Sequence, residues 1–155
     1  MKTLLADPSV LRLVKVVTRA DTIDLFVASI QRQACCPSCH WLSSKVHSPY
    51  RRTLADLPWQ GVAVRLELGV RKFFCTNEAC RQAVFCERLP SVVAPHRRHT
   101  LRLEEALTVI GFALGGRAAA RTASKLGLTA SATTLLRRVR QAAPPSASGA
   151  GAVTV

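Results

Sequence analysis

Long apolar runs and negative charge are both scarce in this sequence. Hydrophobic residues make up 48% of the chain, but they are dispersed among charged ones, and no stretch of about 18 apolar residues is available to span a membrane. The N-terminal MKTLLADPSV has no uninterrupted apolar run of secretory length, because Asp7 and Pro8 break it. We therefore expect a cytoplasmic, nucleoid-associated protein with no membrane partner, whose cysteines stay reduced.

The shortage of acidic residues leaves a strongly basic chain. Nine Asp and Glu stand against 22 Lys and Arg, which gives a net charge of +13 over 155 residues. Such an excess is typical of proteins that bind a polyanion, and nucleic acid is the default partner. The alternative, an excess that only aids solubility, is weaker because a net charge of about 2 to 8 suffices for a small domain. The length allows one domain or two small modules and excludes a large enzyme with accessory domains.

The N-terminal part favours β-structure. SVLRLVKVVTR and TIDLFVASI are rich in Val, Ile and Leu and are separated by a turn-like Ala20-Asp21-Thr22, which predicts a hairpin, with helix as the competing interpretation. VAVRLELGVRKFF, residues 62–74, alternates apolar and charged side chains. This period of two predicts a half-buried strand that runs directly into Cys75.

Two segments contain residues that break regular structure. SSKVHSPYRRTLADLPWQG includes Pro49, Pro58 and Gly61 and predicts a surface loop around a short strand. VFCERLPSVVAPHRRHT has two prolines and a basic cluster, which predicts an extended connector.

The C-terminal third changes to helical spacing. LRLEEALTVIGFAL follows Thr100, a plausible N-cap, and carries four apolar side chains on one face: Leu103, Leu107, Ile110 and Leu114. GRAAARTASKL, ending at Gly127, and ASATTLLRRVRQ predict two further helices. The final AAPPSASGAGAVTV is uncharged and rich in Ala, Pro, Gly and Ser, so it predicts a disordered tail.

The chain contains six cysteines, at positions 35, 36, 39, 75, 80 and 86. Cys36 and Cys39 form C-x2-C, and Cys75 and Cys80 form C-x4-C, two short-spaced pairs of the kind that hold zinc in a tetrahedron of soft ligands. The proline after Cys36 favours Cys36 over the adjacent Cys35 as the partner of Cys39. We interpret Cys35 as a spare or buried thiol and Cys86 as a small core residue.

Other roles fit the cysteines less well. A redox C-x-x-C would stand in a βαβ pattern and would leave the second pair unexplained, and a disulfide framework does not suit a chain without a secretory signal. His40 and His47 are possible fourth ligands of a mixed site, but with four well-spaced cysteines the histidines are better read as exposed or hydrogen-bonded. Four thiolates leave no open position for water, so the zinc would be structural.

The helical part carries a helix-turn-helix pattern. Ala123 stands where two helices must approach closely, Gly127 stands at the turn, and Leu126, Leu128 and Leu136 supply apolar contacts. In the last helix the face expected to pack inward holds Ala132, Leu135, Leu136 and Val139. Its opposite and flanking positions are candidates for DNA contact: Thr133, Thr134, Arg137, Arg138 and Gln141. Alternatively, the arginines only solvate the helix and complement its dipole.

Basic residues in the cysteine-rich part are further candidates for phosphate contact, which would make DNA affinity fall steeply with salt. They are Arg51, Arg52, Arg71, Lys72, Arg97 and Arg98.

Taken together, CCPSCH, YRRTLADLP, VRKFFCTNEACRQAVFCERLP and GGRAAARTASKLGL resemble the N-terminal part of the ISL-three family of bacterial insertion-sequence transposases, over about residues 10–141. The resemblance implies that Cys36, Cys39, Cys75 and Cys80 bind structural Zn²⁺. It also implies that the zinc finger and the helix-turn-helix bind the terminal inverted repeats of the element in double-stranded DNA. The chain departs from the family pattern at His40, where glycine is common, and in the additional Cys35 and Cys86.

The family continues into an RNase H-like domain with catalytic DDE residues, whereas this sequence ends in QAAPPSASGAGAVTV. We therefore expect a truncated transposase or a frame-shifted remnant that binds DNA without catalysis. The alternatives are a fragment that acts in trans with a separate catalytic domain, a zinc-dependent interaction module that forms a homodimer, a regulator that competes with full-length transposase, and an inert gene product.

The predicted fold is α+β. An N-terminal β-hairpin, residues 1–34, packs on a zinc-ribbon-like finger, 35–99, and is followed by a small three-helix helix-turn-helix module, 100–141, and the disordered tail, 142–155.

Overall fold

A computed structural model describes residues 5–142 of the chain. The chain divides into two compact units, one up to Glu104 and one from Glu105 on. The described residues confirm the α+β class, with a β-rich part followed by helices: β1 (Leu11–Thr18), β2 (Thr22–Ser29), β3 (Ala34–Cys35), β4 (Leu42–Ser43), β5 (Val46–Trp59), β6 (Val62–Phe74), β7 (Val84–Cys86), α1 (Leu101–Leu114), α2 (Gly116–Lys125) and α3 (Ala132–Gln141). Apart from Ala142, the predicted tail lies outside the described residues.

The main sheet is built around β6. β1 and β2 form the predicted antiparallel hairpin, and β2 lies parallel to β6, with Thr22 opposite Ala63. β5 pairs antiparallel with β6 along its other edge, and the short β7 pairs with the end of β6 at 72–74. Strands from the ranges 1–34 and 35–99 thus share one sheet, and the domain limits taken from the sequence stay a prediction.

One face of this sheet is apolar. β6 follows its predicted alternation, since Val64, Leu66 and Leu68 are buried and Arg65 is exposed. The buried face of β6 packs with side chains from β2 and β5 and with three residues of the segment after β7: Leu89, Val92 and Val93. The segment predicted as an extended connector therefore contributes β7 and part of the core, because its apolar residues cover the sheet.

The prediction of a surface loop around a short strand in residues 43–61 was wrong, because most of this segment forms the 14-residue strand β5. β5 tolerates Pro49 and Pro58 because β6 is the one named strand that it pairs with in residues 5–142, and its register shifts lie near the prolines. The backbone hydrogen bonds of its other edge, to residues 98–100, form at Ala55, away from both prolines. The predicted breaker Gly61 does form a turn. Gln60 (φ 48°) and Gly61 (φ 83°) are left-handed, as a two-residue hairpin loop requires.

The three predicted helices are present. Thr100 caps α1, since the backbone N–H of Leu103 donates to its hydroxyl at 3.4 Å. Gly127 (φ 76°) provides the turn after α2, and the Ser131 hydroxyl caps α3 by accepting from the N–H of Thr134. No helix in residues 5–142 is long and apolar enough to cross a membrane.

Burial in the second unit corrects part of the predicted core. Ala123, Leu128 and Leu135 are buried as expected, but Leu126 is 49% exposed and Leu136 is 41% exposed. Leu136 lies beside Gly116, where a Cβ would come within 2.8 Å of its side chain. It therefore packs at the edge of the helix pair rather than inside it.

Candidate metal centre and basic groove

The first cysteine pair lies in a tight hairpin turn. β3 and β4 pair over two residues each, and between them the Cys36 N–H donates to the Trp41 carbonyl at 2.9 Å while the His40 N–H donates to the Cys36 carbonyl at 2.9 Å. His40 has φ 60°, in the left-handed region that favours glycine. Glycine would adopt this conformation without a steric cost, whereas His40 adopts it with a Cβ.

The second pair follows the end of β6. The Cys75 N–H donates to the Ala83 carbonyl at 2.8 Å, and the Cys80 N–H donates to the Asn77 carbonyl at 3.0 Å. The Asn77 side chain accepts from the Ala79 N–H at 3.0 Å and shapes the same turn. Each cysteine pair is thus held by a local backbone turn, which we call a knuckle: residues 36–41 and residues 75–83.

The two knuckles bring the four predicted ligands together. All four Sγ atoms lie within 4.8 Å of one another, with Cys36 Sγ 3.9 Å from Cys80 Sγ and Cys39 Sγ 3.6 Å from Cys75 Sγ. Zn–S bonds of about 2.3 Å in a tetrahedron place sulfur atoms about 3.8 Å apart, whereas a disulfide needs about 2.05 Å. The four cysteines therefore fit a structural zinc site.

Backbone N–H groups point at these sulfur atoms. The N–H of Trp41 lowers the pKa of Cys39 to about 7, and the N–H of Gln82 lies 3.4 Å from Cys80 Sγ. The N–H of Asn77 acts in the same direction on Cys75, but burial and the neighbouring thiols outweigh it and raise the pKa of Cys75 to about 12. Four thiolates this close need a cation to neutralise them, which Zn²⁺ would supply.

Other side chains pack around the cysteine cluster. Cys36 is fully buried with Phe73 and Phe85, whose rings stack at 6.0 Å between centroids. The Gln82 side chain accepts from the Ser38 hydroxyl at 2.5 Å, so it joins the second knuckle to the first. Such contacts orient metal ligands.

The remaining candidate ligands lie apart from the cluster. Cys35 is exposed, as expected of a spare thiol, whereas the interpretation of Cys86 as a core residue was wrong because it is only partly buried, beside a groove. Burial raises the pKa of Cys86. His40 and His47 are both exposed, and His47 Nδ1 is 2.8 Å from the Ser48 hydroxyl.

Residues 32–80 match the family of the zinc-finger of transposase IS204/IS1001/IS1096/IS1165. The matched segment includes both cysteine pairs, β5 and β6, so it is the part of the chain that is similar to this zinc finger. α1, α2 and α3 lie outside it. The chain has no match among curated proteins or solved structures.

Next to the zinc-finger segment, the first unit contains a groove of about 1200 Å³ between β5 and the segment 86–99. Its single acidic lining residue is Glu87. Seven cationic side chains line it: Arg51, Arg52, Arg65, Lys72, Arg88, Arg97 and Arg98. We call this feature the basic groove. Five of the six DNA contacts predicted in this part of the chain lie on it.

Arg71, the sixth, is not among the lining residues of the basic groove. Its guanidinium lies 3.6 Å from the Glu87 carboxylate, whose side chain is fully buried, and its backbone N–H donates to the same carboxylate at 3.0 Å. Glu87 also accepts from the Ser29 hydroxyl. Arg71 thus stabilises the fold of the sheet in addition to any contact with a ligand.

The far side of the basic groove is held in place by a hydrogen-bond network that was not predicted from the sequence. The buried Asp56 accepts from the Thr100 hydroxyl at 2.7 Å and from Arg102 Nε at 2.7 Å. The Ala55 N–H donates to the Arg98 carbonyl at 2.8 Å, and Arg52 Nη2 donates to the Arg97 carbonyl at 2.6 Å. Asp56 lies within YRRTLADLP, but its partners Thr100 and Arg102 are more than 40 residues away, so the sequence carries no local signal for the network.

The helical candidates for DNA contact lie in the second unit. Thr133, Arg137 and Gln141 are exposed on α3. Thr134 is partly buried and joins the cap, with its hydroxyl 2.9 Å from that of Ser131, and Arg138 is also partly buried. The exposed face of α3 therefore holds three of the five predicted contacts.

Proposed function

We propose that this chain is a transposase-related DNA-binding protein whose structural zinc ion stabilises a basic surface, and that its target is the terminal inverted repeats of an insertion sequence. The observation that carries the proposal is the coincidence of three features in one segment. The match to a transposase zinc finger, the four-cysteine cluster and β5, which lines the basic groove, all fall within or beside residues 32–80.

We propose a binding role without catalysis. Within residues 5–142, the cysteine cluster is the one group of three or more side chains placed to hold a metal ion, and a zinc ion bound by four thiolates has no open position for a reacting oxygen. Asp24, Asp56 and Glu87 are buried and bonded to arginines. These carboxylates serve the fold.

The helices supply the sequence-reading part of the proposal. α2, the Gly127 turn and α3 have the order of a helix-turn-helix, in which the second helix enters the major groove. Thr133, Arg137 and Gln141 would then face base edges or phosphates. Their exposure on α3 and the positive net charge of the chain support this assignment.

The test is a binding titration with the full chain, loaded with Zn²⁺, at low salt. Labelled duplexes carry either the terminal inverted repeat of a neighbouring element or the same bases in shuffled order. We expect the repeat to bind at least about tenfold more tightly, because each mismatched base pair costs about 1–3 kcal/mol. Equal affinity for the two duplexes would remove the inverted repeat from the proposal, and no binding to either would remove DNA binding itself.

A second candidate is a homodimer formed through β1. The outer edge of β1 pairs with no strand in the described part of the chain, and Leu13, Val14 and Val16 are 39%, 55% and 43% exposed. Exposed apolar edge strands favour pairing with another chain. Light scattering after size-exclusion chromatography should give twice the chain mass, falling to one chain mass in Val14→Lys. A monomeric parent protein would exclude the dimer.

A further inference from the structure

We infer that the basic groove binds the sugar-phosphate backbone of duplex DNA, so that the zinc-bearing unit contacts DNA through a surface of its own. This inference deepens the proposed function and rests on it. It adds which surface of the first unit contacts DNA and which part of the DNA that surface binds.

Some cationic side chains of the first unit are paired with carboxylates, and others are not. Arg19, Arg65 and Arg102 are paired with Asp24 or Asp56 inside the fold. In contrast, the groove presents five cations for which the described residues provide no ion pair. These are Arg51, Lys72, Arg88, Arg97 and Arg98. A cation without a carboxylate partner is available to an external anion, and this holds also for Lys72, whose Nζ lies 5.3 Å from the centroid of the Tyr50 ring.

The surroundings of these cations strengthen their field. Glu87, the one acidic lining residue, is already bonded to Ser29 and Arg71, so it does not offset the groove charge in full. Apolar residues such as Leu54, Leu89 and Val93 form part of the lining. A cleft with one sign of charge and apolar walls focuses the electrostatic potential and attracts a polyanion.

The size of the groove favours an extended anion over a small one. Pockets for small ligands are about 300–1,000 Å³ and largely enclose their ligand, whereas the basic groove measures about 1200 Å³. Its cations also come from two sides, with Arg51 on β5 and Arg97 and Arg98 on the segment that faces it. A continuous phosphate backbone can meet cations on both sides at once.

The two sides are fixed before any ligand binds. The Arg52 guanidinium bridges them through the Arg97 carbonyl, and the Asp56 network fastens the end of the facing segment at Thr100. Pro37 and Gln82 also line the groove. Because these residues belong to the two knuckles, the metal centre helps to shape one wall.

The first test compares the salt dependence of duplex binding by matched variants of the full chain. Arg51→Ala with Arg98→Ala removes one free cation from each side and leaves the structural Arg52 in place. The control, Arg12→Ala with Arg32→Ala, removes the same charge from exposed positions outside the groove. Each lost phosphate contact lowers the slope of log K against log salt by about 0.9, so the groove variant should lose about 1.8.

The outcomes separate the two proposals. A slope that is unchanged in the groove variant, or reduced equally in the control, overturns the groove while the wild-type chain still binds DNA. Failure of the wild-type chain to bind any duplex overturns the proposed function. Polyglutamate that competes as strongly as duplex at equal charge would reassign the groove to an acidic protein segment, and pyrophosphate that does so would reassign it to a small anion.

The second test uses the two cysteines outside the metal cluster. Cys86 lines the groove, whereas Cys35 is exposed and does not line it. In the zinc-loaded chain, duplex should slow alkylation of Cys86 severalfold, measured by mass spectrometry, and leave Cys35 unchanged. Equal effects on both thiols, or none on Cys86, would contradict the groove. If Cys86 reacts too slowly to follow, the salt slopes decide alone.

Discussion

Up to Glu104 the chain is held by contacts between residues far apart in sequence, whereas from Glu105 on its close contacts join neighbouring helices. β2 pairs with β6, although the first knuckle and β5 lie between them in sequence, and the two knuckles meet at the cysteine cluster and at the Ser38–Gln82 hydrogen bond. In the second unit, Gly111 and Gly116 allow α3 to approach, since a Cβ there would lie 2.9 Å from Val139 and 2.8 Å from Leu136. The first unit therefore depends on distant partners and a metal, and the second on small residues.

Removal of zinc should give the largest difference in stability between the two units. Structural zinc contributes about 10–16 kcal/mol in zinc-finger peptides, and the knuckles have only a small apolar cluster of their own, around Phe73 and Phe85. With a chelator or in Cys36→Ser, we expect hydrogen exchange to accelerate in both knuckles, while α2 and α3 keep their protection. Cys35→Ser is the matched control. Unchanged protection of the knuckles after metal removal would show that the cysteines pack without zinc.

A smaller loss should follow from breaking the network at Asp56. Asp56→Asn removes the negative charge of a buried carboxyl that is paired with Arg102, whose side chain is 22% exposed, and disruption of a buried ion pair costs about 3–5 kcal/mol. We expect about 3 kcal/mol, measured as the free energy of unfolding in urea, because Arg102 retains some access to water.

The control for Asp56 is Asp21→Asn, the same change at an exposed position, which should cost less than about 0.5 kcal/mol. Asp56→Asn should also weaken duplex binding, since the network fastens the segment that carries Arg97 and Arg98. Equal stability of the two variants would contradict a structural role for Asp56.

These differences also explain which features could be predicted from the sequence. Local patterns predicted the local structures: alternation gave β6, helical spacing gave α1, and two short cysteine spacings gave the ligand set. The left-handed backbone at His40, the turn at Gln60 and Gly61, and the Thr100 cap are also local features. Each depends on residues a few positions apart, where backbone preferences decide the outcome.

The features that were missed depend on distant partners. Pro49 and Pro58 suggested a loop because the sequence does not reveal that β5 is the last strand in the order of the sheet, where prolines are tolerated. Neither the parallel pairing of β2 with β6 nor the contact of Asp56 with Arg102 has a local signature. Leu126 was expected to make apolar contacts but is exposed. Helical spacing predicts which residues share a face of a helix, but not whether another element packs against that face.

Within the helical unit, two adjacent leucines give a test of which face packs. Leu135 is fully buried and Leu136 is 41% exposed. Leu135→Ala should cost about 2–3 kcal/mol, the lower end of the range for a core leucine, because a small unit can partly collapse into the cavity. Leu136→Ala should cost less than about 1 kcal/mol. The loss of helical circular dichroism on heating measures both, and the reverse order would mean that α3 packs on its other side.

The smallest expected effect is the loss of the stabilisation by Asp24 at low pH. The Arg65 guanidinium and then Arg19, both hydrogen-bonded to Asp24, lower its pKa to about 2 from 3.8. Between these values the unfolded chain binds the proton more readily than the folded one, so the stabilisation by Asp24 is full above about pH 4 and is lost as the pH falls toward 2.

Both arginines are about half exposed, and water screens the interaction, which keeps the effect modest. The stability difference between the wild-type chain and Asp24→Asn, measured in urea without metal in both proteins, should therefore shrink from pH 5 to pH 2. Asp21→Asn again provides the control and should differ little from wild type at each pH. A difference between wild type and Asp24→Asn that stays constant over this range would mean that the two arginines do not favour the ionised carboxyl.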